Sequence, residues 1–154
     1  MENTQIHLTN ESDLHKKVVD FVRRFHPNAI LIPGLGEYQT NTSLRASCYS
    51  KGYLGGQPDL LIINSHKRYQ GLALELKTPT GKGIISEKQT SYLSRLEESG
   101  YKCIISNDYD EIVVSITNYC KDIVYPCKYC SDRRHYQSSF KLKRHYENFH
   151  KVFN

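Results

Sequence analysis

Residues 71–83 read "GLALELKTPTGKG". The first half alternates, and the pattern predicts a strand over 70–77. Successive side chains of a strand point to opposite faces. Leu72, Leu74 and Leu76 therefore share one face, and Ala73, Glu75 and Lys77 the other. The second half, from Thr78 to Gly83, is a loop by its Pro, Gly and Thr content. A leucine-rich strand thus carries an acid and a base side by side.

Upstream, "DLLII" (59–63) predicts a buried strand whose first residue is Asp59, and "NSHKR" (64–68) a hairpin-type connection. Farther back, "AILI" (29–32) is a short apolar strand and "SLRASCYSK" (43–51) a short helix. "PGLGEYQTNTS" and "GYLGGQP" (52–58) are loop and turn. Residues 11–25 predict the first helix, with Leu14, Val18, Phe21, Val22 and Phe25 at helical spacing. Asn10 or Ser12 could cap it, and Pro27 lies just past its end. Downstream, 86–99 is a helix stopped by Gly100, 101–106 a buried strand and 108–120 a further helix. This order predicts an α/β (α+β) domain with a central mixed sheet flanked by helices.

The hairpin would bring Asp59 beside the Glu75/Lys77 face at one end of the sheet. Two carboxylates that share a partly buried site repel and lose hydration, at about several kcal/mol. A divalent cation between them relieves that cost. Mg²⁺ (or Mn²⁺) suits hard oxygen ligands, typically one or two carboxylates with waters and phosphate oxygens. The Leu76 carbonyl would point to the same place. Lys77 could orient an attacking water and offset phosphate charge. The set suits phosphodiester hydrolysis. A bare Glu-x-Lys is more often a surface ion pair of little energetic weight; Asp59 at hairpin distance argues the other way. "TPTGKG" is not a phosphate-binding P-loop, because the first glycine is missing and Gly83 stands where Ser or Thr is needed. Lys82 could instead touch a substrate phosphate.

The blocks "GGQPDLLI" (55–62), "LALELKTPTGK" (72–82), "SEKQ" (86–89) and "LEESGYKCIIS" (96–106) together resemble the VRR-NUC domain, a branch of the PD-(D/E)xK nuclease superfamily. The likeness runs over roughly residues 11 to 119. It implies a restriction-endonuclease-like core, Asp59 and Glu75 as metal ligands and Lys77 as the catalytic lysine. It also implies Glu11 as an outer acid on the first helix and Gln89 as the helix glutamine near the lysine. Ser86-x-x-Gln89 is at the same time a capping box, and the two roles are compatible. The resemblance further implies branched DNA (four-way junction or flap) as substrate, a possible homodimer, and a replication, recombination or repair setting of viral type. The alternatives are a non-catalytic DNA-binding regulator, whose finger binds while the α/β domain is a spent scaffold, and a nuclease for RNA or foreign DNA, which the same triad would serve.

Residues 121–154 form a second module after the nuclease-type domain of residues 1–120. "YPCKYCSDRRHYQSSFKLKRHYENFH" (125–150) contains Cys127, Cys130, His145 and His150 in the pattern C-x2-C-x14-H-x4-H. Two thiolates on a turn and two imidazoles one helical turn apart suit a structural, tetrahedral Zn²⁺. Tyr125, Tyr136 and Leu142 occupy core positions, so the module resembles a ββα zinc finger. Two extra residues precede Tyr136. In the usual docking geometry Ser138, Lys141 and Arg144 would face bases, and Lys143, Arg133 and Arg134 phosphates. The module could equally contact protein.

Charge supports this division. The 154-residue chain carries +5; residues 121–154 hold eight Lys/Arg against three Asp/Glu, and residues 1–120 hold thirteen of each. The basic excess lies in the tail and fits a polyanionic partner. Five cysteines without framework spacing argue against a disulfide scaffold. No apolar run is long enough to span a bilayer, and the N-terminus lacks the apolar middle of a signal peptide. A soluble, intracellular protein with no membrane partner is expected.

Overall fold

The computed structural model describes residues 10–34, 36, 41–81, 83–126, 135, 136 and 139–145. Helix α1 (Glu11–Phe25) follows an Asn10 cap whose side chain accepts from the Asp13 N–H. It leads to β1 (Leu31–Pro33), α2 (Thr42–Ser50), β2 (Leu60–Ile62) and β3 (Leu72–Leu76). Then come α3 (Glu87–Glu98), β4 (Lys102–Ser106) and α4 (Tyr109–Lys121). The strands form one sheet in the order β1-β2-β3-β4. The first two pairings are antiparallel; β3 and β4 are parallel and joined through α3, as a parallel pair requires. The mixed sheet flanked by helices is the architecture the sequence predicts.

The leucine face of β3 joins the main core. Leu72, Leu74 and Leu76 pack with Leu60 and Ile62 of β2 beneath Leu14, Val18 and Val22 of α1 and Ile112, Ile116 and Tyr119 of α4. Each such leucine contributes about 1.5–3 kcal/mol by leaving water. The other face is buried too, because every residue of β3 is inaccessible. Helix α3 covers this side, where Cys103 Sγ of β4 lies 3.6 Å from the Leu93 carbonyl. The acid of the opening motif therefore sits inside the molecule.

The first strand lies two residues later than the apolar run suggests, over 31–33 rather than 29–32. The Ile30 N–H is taken by the Asn64 side chain at 2.6 Å, and regular pairing starts at Leu31 opposite Ile62. Pro33 is tolerated because β1 is an edge strand, whose outer side needs no donor.

The turn before Asp59 is pressed against α3. Gly56 has φ +93, and a Cβ there would lie 2.4 Å from the Lys88 carbonyl oxygen. Gly56→Ala combines left-handed strain with a backbone clash. It is expected to lower stability by about 2–4 kcal/mol, read as a shift of the urea midpoint.

The C-terminal module shows β5 (Tyr125–Pro126) paired antiparallel with β6 (His135–Tyr136), followed by α5 (Ser139–His145). That is a ββα order. Among the described residues no helix is long and apolar enough to cross a membrane.

Candidate active site

Strand pairing creates the site. Leu60 lies opposite Leu74, so one further step along the ladder sets Asp59 opposite Glu75. The Asp59 carbonyl accepts from the Gly34 N–H at 2.8 Å, which ties this position to the β1 side as well. Asp59 Oδ2 accepts from the Leu76 N–H at 2.7 Å. A strand residue sends its N–H and C=O to the same side, so the Leu76 carbonyl is directed toward β2 and Asp59.

Glu75 is 1 % exposed. Its Oε1 accepts from Lys77 Nζ at 2.7 Å and also from Gln89 Nε2. Lys77 reaches Gln89 Oε1 at 3.3 Å, so the three side chains close a ring of hydrogen bonds. Gln89 is held by the start of its own helix. Its Oε1 accepts from the Ser86 N–H at 2.9 Å, while Ser86 Oγ accepts from the Gln89 N–H at 3.3 Å. The capping box and the contact to the acid coexist in one side chain.

Electrostatics set the acid apart. Burial pushes the Glu75 carboxyl up to about 7; the Lys77 hydrogen bond opposes this, and the charges of Asp59 and Glu11 reinforce it. Glu11, half-buried at the start of α1, is thus near enough to be felt at Glu75. The structure brings Asp59, Glu75, Lys77, Gln89 and the Leu76 backbone together at one end of the sheet, with the Glu11 charge felt there.

One atom is left over. Glu75 Oε2 is buried and has no hydrogen-bond partner among the described residues. A buried carboxylate oxygen without a donor costs about 1–3 kcal/mol or more, unless something absent from the protein satisfies it. Beside a second carboxylate and a strand carbonyl, these are hard oxygen donors, and they fit a small divalent cation. Among the described residues no three His, Cys, Asp or Glu side chains cluster closely enough to hold an ion alone.

Lys77 also faces outward. It lines a cleft of about 240 Å³ with Gly81, Gly83, Ile85, Ile105, Ser106 and Asn107. The backbone of Gly83 lies against its stem, where a Cβ would come within 3.0 Å of the lysine Cδ. Lys77 thus bonds the buried acid through its ammonium and borders an open cleft.

Tyr53 escaped the sequence reading. Its phenol is raised by burial first and then by the negative charge of Asp59, and its hydroxyl lies against Gly36. The available signal was an aromatic six residues before Asp59, in a stretch that reads only as a turn. Of the other expected contacts, Lys141, Lys143 and Arg144 are exposed on α5, and His145 closes that helix. Cys127, Cys130, His150, Lys82, Arg133, Arg134 and Ser138 lie outside the described residues. Cys48, Cys103 and Cys120 are half-buried free thiols.

No family model matches the chain, and no curated protein does. Among solved structures, one described as "VRR_NUC domain protein" is similar, with a TM-score of 0.60 and 21% identity. The match covers 73% of this chain and 88% of that one. The chain is therefore similar in fold to a VRR_NUC domain protein, with its mixed four-stranded sheet and flanking helices.

Proposed function

We propose that the chain is a metal-dependent endonuclease that hydrolyses phosphodiester bonds in DNA, with branched DNA as its substrate. The observation that carries this reading is the orphaned, buried Glu75 Oε2 beside Asp59, with Lys77 Nζ on the other oxygen of the same carboxylate. A structural ion pair has no use for a second acid and an unsatisfied oxygen in the same place. A bound Mg²⁺ or Mn²⁺ would supply positive charge to the phosphate and acidify a water.

The protein does the rest. Asp59 and Glu75, with the Leu76 carbonyl, would hold the cation, and Glu11 would hold its outer water. Lys77, fixed by Glu75 and Gln89, presents an ammonium to the cleft. There it orients the attacking water and offsets charge that develops on the phosphate oxygens. Gln89 keeps Lys77 and Glu75 in register, and the capping box keeps Gln89 in place. The fold likeness to a protein whose name carries the nuclease term supports the same reading. So does the basic tail, where a Zn²⁺-bound Cys127/Cys130/His145/His150 finger would act as an electrostatic clamp on DNA.

The purified protein should cut four-way junctions or flaps in Mg²⁺ or Mn²⁺ and nothing in EDTA. Intact duplex and single strands of the same sequence should be cut more slowly. Paired symmetrical cuts on the junction would mark a two-fold dimer. If no DNA is cut in either metal, or if cutting persists in EDTA, the reading fails.

A further inference from the structure

Along α3 runs a second and larger groove. Its volume is about 480 Å³, within the range of small-ligand sites. Tyr49 of α2, Leu54 and Gly55 of the turn, and Lys88, Tyr92 and Arg95 of α3 line it. We propose that this groove takes one unpaired nucleotide of the substrate strand, its base stacked on Tyr49 and Tyr92 and its phosphate held by Lys88 and Arg95. The proposal rests on the nuclease reading and adds to it a specificity-determining subsite.

The lining has the chemistry of a single-strand platform. Two aromatic rings offer π faces that every base can stack on, and two cations offer charge to the backbone. Glu87 is the one acid among the lining residues, so the groove is net positive. Tyr49 is 69 % exposed although α2 buries no residue of its own. An aromatic held out on a short amphiphilic helix is available to a ligand. The Arg95 guanidinium lies 5.7 Å from the Tyr92 ring centroid, so cation and ring stand together in the groove.

The groove is wired to the acids. Tyr92 OH accepts from Gln57 Nε2 at 3.2 Å, two residues before Asp59. Lys88 immediately precedes Gln89, which bonds Glu75, and its backbone is clamped against Gly56. The groove and Gln89, which bonds Glu75, thus share helix α3. Turning a paired base out of its stack costs roughly a few kcal/mol, whereas a single-stranded flap offers an unpaired base without that cost.

The test measures binding by the full chain in EDTA, with fluorescence anisotropy of a labelled oligothymidylate and of a blunt duplex of equal length. Tyr49→Ala should weaken oligothymidylate binding about tenfold and leave duplex binding unchanged, while Tyr49→Phe binds like wild type. Lys88→Gln should weaken oligothymidylate binding and lower its salt slope by about one. No loss in Tyr49→Ala, an equal loss on the duplex, or wild type that does not bind oligothymidylate at all would overturn the proposal. Because the readout is binding without metal, its outcome is separate from that of the nuclease reading, which is judged by cutting alone.

Discussion

Lys77→Ala should slow cleavage of the preferred DNA by about two to three orders of magnitude, the usual cost of removing one charged group aimed at a reacting oxyanion. The same change should leave Mn²⁺ binding intact or tighter. Lys77 Nζ sits 2.7 Å from Glu75 Oε1, so it competes with any cation for that carboxylate. With the ammonium gone, Glu75 keeps Gln89 as a partner and gains negative character for the metal. Asp59→Ala is expected to behave oppositely, losing both cutting and Mn²⁺ binding, because it removes a ligand. The pair of variants thus separates a lysine that serves the reaction from one that merely neutralises an acid. Isothermal titration with Mn²⁺ alongside initial cleavage rates makes the check. Cutting by Lys77→Ala within a few-fold of wild type, or a parallel loss of metal binding, would remove Lys77 from the mechanism.

What the sequence revealed, and what it hid, follows from which interactions are local. The alternation over 70–77 marks β3, and α1 is predicted over the residues at which it is found, because Asn10 caps one end and the apolar spacing runs to Phe25. The Asp59–Glu75 juxtaposition was also within reach, since a hairpin of known length fixes its own register. Burial of the acid face was not. Alternation shows that the two faces differ, but whether the second is covered depends on where α3 lands. The Ser86–Gln89 capping box is a local signal, yet the reach of the same glutamine to Glu75, fourteen residues upstream, is a tertiary fact. Tyr53 is the extreme case. It lies in a glycine-rich turn without periodicity, and only the approach of that turn to α3 brings its phenol within the field of Asp59. The groove on α2 and α3 is of the same kind. It draws on residues forty positions apart, each ordinary in its own segment.

Metal-free protein should lose stability as pH rises from 5 to 8, and Glu75→Gln should abolish most of that loss. Burial raises the Glu75 carboxyl from 4.5 in the unfolded chain to about 7 in the folded one. Between those values the folded state binds more protons than the unfolded state, so unfolding becomes easier with every step up in pH. The penalty begins above the unfolded value and is complete once pH passes the folded one. Its full size is on the order of 3 kcal/mol, from the length of that shift at 1.36 kcal/mol per unit. Glutamine keeps the shape and an acceptor for Lys77 but cannot ionise. In EDTA, urea midpoints of wild type should therefore fall across this window relative to those of Glu75→Gln. The two curves should meet near pH 5 and stand farthest apart at pH 8. Adding Mg²⁺ at pH 8 should raise the wild-type midpoint by binding to the ionised acid, and leave that of Glu75→Gln nearly unmoved. The comparison matters beyond stability. An acid that destabilises its own fold at neutral pH, in a site with one oxygen unsatisfied, would be explained by a cation bound to the folded protein. Parallel pH profiles for the two proteins in EDTA, or equal stabilisation of both by Mg²⁺, would mean that Lys77 and Gln89 satisfy Glu75 without a cation and that the site is an ion pair rather than a metal centre.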